Sequence, residues 1–309
     1  MSVATTSPTA SASTDRKSFC VLYNPLSSTG EGEAKARKLD SILPADHPIE
    51  YKSLLEIGSK ADFLRDLDPS VIPVLTGGDG TLSYFVNDLG GENPTRDIYY
   101  YPAGTGNDFL NDLNKKSDTE PFLLNPYITD LPRIHFNGET HVFINGVGYG
   151  IDGYVCEEGD RIRKKTGKPI NYTGTALKGL LYAYKQTKAT VTVDGETHEF
   201  ENVWMTPTMN GRFFGGGMMC APAQDRLNPE GTVTLMVMGS PSRLRTLMLF
   251  PFIFKGTHVK NKKIVSMFKG HTIHVKFDVP TALQIDGEVF SGVSEYTVTT
   301  AVADGRRNV

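Results

Sequence analysis

The chain has 309 residues, 39% hydrophobic and 22% charged, enough to bury one large core or two modest ones. Its net charge of −3, from 32 basic and 35 acidic residues, excludes the strongly basic surface that bulk nucleic-acid binding requires. Three widely separated cysteines, Cys20, Cys156 and Cys220, make neither a CxxC nor a pairable framework, so a reducing cytoplasmic setting is expected.

Residues 1–17 are rich in Ser, Thr and Ala and lack an apolar h-region, so they read as a disordered tail and not as a signal peptide. Strand and helix signals then alternate. A strand is expected over 19–23, ending in the turn Asn24-Pro25, and a helix over 33–43 on the spacing of Ala34, Leu39, Ile42 and Leu43. A strand over 49–55 and a helix over 61–67 follow. The apolar run 71–76 reads as a buried strand that enters Gly77-Gly78-Asp79-Gly80, with a helix over 81–89. A fourth strand over 98–101 ends in Pro102-Ala103-Gly104-Thr105-Gly106. Such alternation predicts an α/β domain over 18–133, built on a parallel sheet.

Beyond about Arg133 the pattern changes. Strands are expected over 141–145, 190–193, 203–209, 232–238, 272–277, 283–285 and 296–299, with Asp194-Gly195 and Asp286-Gly287 as hairpin turns. This predicts a mainly β, sandwich-like second domain over 134–309, its last strand able to return to the first domain. The exception is 161–188, expected to carry one helix over 175–185. The very apolar run 244–254 reads equally as a core helix broken at Pro251 or as a membrane-dipping segment. Nothing is apolar for long enough to span a bilayer, so membrane contact is expected to be peripheral.

Three loops carry the chemistry: Asn24-Pro25-Leu26-Ser27-Ser28-Thr29-Gly30, Gly77-Gly78-Asp79-Gly80-Thr81 and Gly104-Thr105-Gly106-Asn107-Asp108. Each follows a strand of the first domain. In an open α/β sheet, ligands bind beyond the carboxyl ends of the strands, where backbone N–H groups and helix N-termini face outward and favour phosphate. Glycine lets backbone approach a phosphate, and Asp79 and Asp108 add carboxylates where phosphate charge calls for Mg²⁺. No GxxxxGK[ST] and no strand-linked GxGxxG is present, so the expected nucleotide site is neither a P-loop nor a dinucleotide Rossmann loop.

At these residues the sequence resembles the catalytic domain of diacylglycerol kinases, which bacterial soluble lipid kinases and sphingosine kinases share. The resemblance rests on Asn24-Pro25, Gly77-Gly78-Asp79-Gly80-Thr81 and Gly104-Thr105-x-Asn107-Asp108-Phe109. It continues through the segment Asn145 to Asp152, the glycine-rich Asn210 to Gly217, and Ile285-Asp286-Gly287-Glu288. It implies an α/β nucleotide domain, a β-rich second domain and an active site in the cleft between them. It further implies ATP-dependent phosphorylation of a lipid hydroxyl, with diacylglycerol as leading substrate. Asn24, Pro25, Leu26, Ser27 and Ser28, Gly77 to Thr81, Gly104, Thr105 and Asn107 would contact ATP. Asp79 and Asp108 would hold catalytic Mg²⁺, and Asp286 and Glu288 would supply the base, Glu288 being the first choice. The segment Pro222 to Gly231 departs from the family pattern: it is longer and has Glu230 where Asp is usual. A structural Mg²⁺ would there rest on Asp225 and Glu230. The first loop also departs, with Ser28-Thr29-Gly30 where Ser-Gly is typical.

Two other functions fit the same plan. An NAD kinase or sugar-phosphate kinase shares the Gly-Gly-Asp-Gly loop, and a non-catalytic nucleotide sensor would keep the fold without a base. The expected partners are a membrane lipid and, through self-association, a homodimer. The basic run Arg161, Arg163, Lys164, Lys165 and Lys168 reads either as a solvated loop or as a contact for anionic headgroups.

Overall fold

The computed structural model describes residues 17–104, 107–116, 120–166 and 184–307. Two sheets organise them. The first contains β1 (Ser18–Tyr23), β2 (Ile49–Ser53), β3 (Val71–Gly77), β4 (Tyr99–Pro102) and β5 (Phe122–Leu123), in the order β2-β1-β3-β4-β5. Strands β1 to β4 run parallel, and β5 closes the edge antiparallel to β4. Alternation along the strands sends side chains to both faces, and both are buried, as a parallel sheet requires. Val21, Val74 and Tyr101 pack against Ala36 and Leu39. Leu22, Leu75 and Tyr100 pack on the other face against Leu64, Leu82, Phe85 and Phe109. Those residues come from α1 (Gly32–Ala36) and the short 3₁₀ turn after it, and from α2 (Lys60–Asp66), α3 (Asp79–Asp88) and α4 (Asp108–Asp112). The helix expected over 33–43 is thus a short α-helix continued as 3₁₀. A further short helix, α5 (Asn125–Ile128), leads out of this layer.

The second sheet has ten antiparallel strands: β6 (Arg133–Phe136), β7 (Glu139–Val142), β8 (Gly146–Tyr149), β9 (Thr187–Val193), β10 (Glu196–Met205), β11 (Thr208–Met209), β12 (Val233–Gly239), β13 (Val265–Gly270), β14 (Thr272–Ile285) and β15 (Glu288–Thr299). Strand β14 organises it. One edge pairs with β15 along nearly its whole length; the other pairs first with β9 and then with β8. The run β8-β11-β12-β10-β9 therefore begins and ends on β14, which closes the layer around Val191, Leu235, Val275, Leu283 and Tyr296. The strands expected over 272–277 and 283–285 are one continuous strand. The last strand does not return to the first sheet, because both edges of β15 are taken by β14 and β6.

Two helices stand out in this half. Helix α6 (Ile151–Thr166) falls where no helix was expected, and Gly153 lets its backbone touch β14: a Cβ there would meet Ala282 O at 2.0 Å. The helix expected over 175–185 lies almost wholly outside the described residues. Helix α7 (Arg243–Leu249) begins at Ser242, whose hydroxyl accepts from Arg245 N, and gives way to a 3₁₀ turn at Phe250–Phe252, the one containing Pro251. Among the described residues no helix is long and apolar enough to cross a membrane.

Candidate active site

The three glycine-bearing loops converge at the carboxyl edge of the first sheet. Asn24 closes its own turn: its Oδ1 accepts from Leu26 N at 2.9 Å, and its carbonyl accepts from Ser27 N and Oγ. The second and third loops touch backbone to backbone. A Cβ on Gly104 would lie 2.5 Å from Gly78 Cα, so only glycine permits this approach. Asn107 donates Nδ2 to Gly104 O at 3.1 Å, while its buried Oδ1 has no partner among the described residues. Thr105 and the side chain of Ser28 lie outside what is described.

Three aspartates meet behind these loops. Asp79 opens α3 after the Gly78 cap, and its two oxygens accept from Asp108 N (2.8 Å) and Phe109 N (3.2 Å), so it also caps α4. Asp108 in turn accepts from Gly216 N (2.8 Å) and Gly217 N (2.6 Å) across the domain boundary. Those two glycines have φ of 82° and 102°, which directs successive N–H groups at one carboxylate. Asp286 has φ 47° in the turn between β14 and β15, and accepts from Ile144 N (2.6 Å), Asn145 N (2.9 Å) and Gly146 N (3.0 Å).

Burial raises the pKa of all three. Asp79 is pushed up to about 7 by desolvation first and the Asp108 charge second, with Asp286 adding a smaller push. Burial also raises Asp108 and Asp286, against the backbone N–H bonds each accepts, and for Asp286 against Arg226 as well. A cluster of like charges that resists ionisation is a place where a cation or a proton would be held.

A cavity of about 210 Å³ opens on this cluster. Asp79, Asp108, Asp286 and Asn145 form its polar end; Ile151, Val155, Met205, Phe214, Met218 and Phe250 form an apolar wall. None of Asn24 to Ser27, Gly77, Gly78, Gly80, Thr81 or Asn107 lines it. The carboxylates therefore stand between the glycine loops on one side and an apolar chamber on the other.

Two sets of residues expected from the sequence stand apart from this cluster. Glu288, expected as the base, is exposed at the start of β15 and does not line the cavity, whereas Asp286 does. The left-handed backbone at Asp286 turns its carboxylate inward before the chain resumes its ladder at Glu288. The structural metal expected at Asp225 and Glu230 is not supported either. Glu230 pairs with Lys269 at 3.0 Å, and Asp225 Oδ1 accepts from Leu227 N. Among the described residues no group of three or more His, Cys, Asp or Glu is placed to hold a metal.

Sequence reasoning missed two features. Asp112, at the end of α4, joins the domains: Oδ1 accepts from Arg212 N and Nε, and Oδ2 from Arg226 Nε. The other missed residue is Asp152, within the quoted 145–152 segment. It lines the apolar part of the cavity, and neither of its oxygens has a partner among the described residues.

Comparison with known proteins agrees with this geometry. Residues 18–126 match the model of the diacylglycerol kinase catalytic domain, and residues 145–302 match the YegS C-terminal NAD kinase beta sandwich-like domain. A diacylglycerol kinase of Mycobacterium tuberculosis (strain ATCC 25618 / H37Rv) is 29% identical over 210 residues, 66% of each chain, a little under two thirds of that relative's length. YtlR of Bacillus subtilis (strain 168), named as a candidate lipid kinase, is 27% identical over 239 residues, covering 70% of this chain and 73% of that one. A crystal structure of a diacylglycerol kinase from Bacillus anthracis str. Sterne superposes with a TM-score of 0.63 at 19% identity, over 92% of this chain and 94% of that one; at this identity the likeness concerns the fold. The chain belongs to the family in which a diacylglycerol kinase catalytic domain is followed by a YegS-type β-sandwich domain.

Proposed function

We propose that this protein is an ATP-dependent lipid kinase that transfers the γ-phosphoryl group of Mg-ATP to a lipid hydroxyl, diacylglycerol being the substrate it fits best and phosphatidic acid the product. One observation carries the reading: the buried carboxylate of Asp286 and a wall of apolar side chains share one cavity, with Asp79 and Asp108 between it and the glycine loops. A reacting hydroxyl attached to a greasy body is what such a chamber would accept.

The residues divide the work. The loops at Asn24 to Ser28, Gly77 to Thr81, and Gly104 to Asn107 offer backbone N–H groups and the N-terminus of α3 to the nucleotide phosphates. Asp79 and Asp108 fit a divalent cation, since Mg²⁺ takes one or two carboxylates together with substrate phosphates, and their mutual repulsion would be relieved by it. When bound, Mg²⁺ would neutralise charge on the transferring phosphoryl group. The acceptor hydroxyl gives its proton to Asp286 as its oxygen bonds to phosphorus and ADP departs. Oδ2 keeps the freer lone pair, because it accepts one backbone N–H where Oδ1 accepts two. The raised pKa of Asp286 strengthens it as a base.

Lipid would enter from a membrane surface. Leu244, Met248, Phe252 and Phe254 are 64%, 57%, 50% and 38% exposed, and Phe254 also lines the cavity. Arg245 and Lys255 are exposed nearby and suit anionic headgroups. We therefore read the protein as cytoplasmic and peripherally attached. Within the run 244–254, Phe250 is buried and Leu247 half-buried in the core. Of the basic run, Arg161, Lys164 and Lys165 are exposed on α6 and Lys168 lies outside the described residues. Transfer of labelled phosphate from ATP, screened over diacylglycerol, ceramide, sphingosine, phosphatidylglycerol and NAD, tests the reading. Transfer to diacylglycerol supports it; transfer to NAD alone overturns it.

A further inference from the structure

Asp152 stands in the first turn of α6, 7% exposed; it lines the chamber, and both of its carboxylate oxygens are buried without a hydrogen-bond partner among the described residues. Gly148 leaves it room: a Cβ there would meet Asp152 Oδ2 at 1.9 Å and Gln284 Nε2 at 2.5 Å. Gln284 lies two residues before Asp286, and its Oε1 accepts from Gly287 N at 2.7 Å. Asp152 and Asp286 line the same cavity.

The titratable groups that face Asp152 are Tyr184, Tyr296 and Cys220, all neutral near pH 7, and no cation among the described residues offsets its charge. Tyr296 is already committed, its hydroxyl bonded to Thr208 and to Thr206 O. Burial lifts its pKa to about 7; the nearby N–H groups of Asp152 and Gly153, outside hydrogen-bond geometry with its oxygens, favour the ionised form only weakly against it. A lone carboxyl in apolar surroundings neutralises rather than bear the desolvation of its charge. Protonated, it is an O–H donor with no acceptor bonded to it among the described residues. An ester carbonyl is a strong acceptor that has no hydrogen to give, and in a diacylglycerol it sits one ester group from the glycerol carbons.

We propose that Asp152 sets acceptor specificity by donating its carboxyl O–H to an ester carbonyl of the lipid while the free glycerol hydroxyl faces Asp286. The assignment rests on the lipid-kinase reading and narrows it to ester-linked glycerolipids over their ether-linked counterparts.

The test measures binding and transfer separately. Dihexanoylglycerol (ester) and dihexylglycerol (ether) are titrated into the full chain by calorimetry without nucleotide, then offered as acceptors with ATP. Wild type should bind the ester about 3–10-fold more tightly, the worth of one neutral hydrogen bond. Asp152→Asn, which keeps an N–H donor, should hold most of that preference, and Asp152→Ala should lose it, with both variants shown by thermal melts to be folded. The wild-type preference should fall as pH rises through about 7, and that of Asp152→Asn should stay flat. A wild-type ratio near one, or an unchanged ratio in Asp152→Ala, overturns the assignment and leaves the kinase reading standing if transfer occurs. Ester preference in binding with no transfer by wild type supports the contact and contradicts the kinase reading. Binding and transfer to neither compound overturn both.

Discussion

Asp112→Ala removes the carboxylate that ties α4 of the first domain to two arginines of the second. Asp112 and Arg226 side chains are 4% and 3% exposed, so truncation leaves a guanidinium buried without its counter-ion. Breaking a buried pair from one side costs about 3–5 kcal/mol. Arg226 keeps some compensation, since Nη1 and Nη2 still donate to Ile144 O (3.2 Å) and Asn145 Oδ1 (3.1 Å), and its guanidinium lies 4.8 Å from the Phe109 ring centroid. The lower end, about 3 kcal/mol, is therefore expected, or a fall in Tm of roughly 6–12 °C. Thermal and urea unfolding followed by circular dichroism measure it. Arg226→Met in the Asp112→Ala background should recover more than half of the loss, because it removes the stranded charge. A further consequence reaches the site. Arg226 grips the Ile144 carbonyl and the Asn145 side chain, and the N–H groups of those two residues hold Asp286. Asp112→Ala should accordingly lower kcat more than it raises KM for ATP. A loss below about 1 kcal/mol, or a double variant whose losses simply add, would refute the reasoning.

Other expectations follow from the same geometry. Asp286→Asn should bind nucleotide normally yet lose most of the single-turnover rate, whereas Glu288→Gln should stay within a few-fold of wild type; the opposite ranking would return the base to Glu288. Asp152 and Asp79 hold folded pKa values of about 7 against 3.8 in an unfolded chain. A raised value means stability fully present below about 4 and lost as pH climbs through about 7, at up to about 1.4 kcal/mol per pH unit and group. Metal-free protein should thus melt higher at pH 5.5 than at pH 8, and Asp152→Asn should shrink that difference. Finally, replacing Leu244, Met248 and Phe252 together by serine should weaken co-sedimentation with anionic vesicles at least tenfold, since each fully buried apolar side chain contributes about 1.5–3 kcal/mol. Turnover of a short-chain soluble acceptor should be unaffected, and unchanged vesicle binding would sink the membrane surface.

Strands β1, β3 and β4 were legible because each is a short apolar run punctuated by the glycine or Asn-Pro turn that the ligand loops need, so fold and site share one signal there; the two-residue β5 carries no such signal and was not expected. Helix α6 was not, because its charged second half masks the Ile151 and Val155 spacing and the Gly153 that packs it against β14 resembles a breaker. Glu288 was ranked over Asp286 from sequence, where two carboxylates flanking one glycine carry no signal of orientation; the left-handed φ belongs to Asp286, which lines the cavity. The Asp112 clasp was invisible for another reason, its partners lying 100 and 114 residues away. In the 244–254 segment all residues but Arg245 and Thr246 are apolar, and only the packing of Phe250 and Ile253 into the core separates the buried face from the exposed one.

The central claim is that the Asp79–Asp108–Asp286 cluster moves phosphate from ATP to a lipid hydroxyl held in the adjoining chamber. The most direct measurement compares wild type with Asp79→Asn for initial rates of labelled phosphate transfer to diacylglycerol in mixed micelles with Mg²⁺. Asparagine keeps one of the two acceptors that meet the N-terminus of α4 while removing the charge, so the rates are compared on protein shown by thermal melts to be folded. The predicted result is a rate lower by about 10²–10³-fold. Transfer by Asp79→Asn within a few-fold of wild type, or wild-type protein that phosphorylates no lipid, would contradict the account.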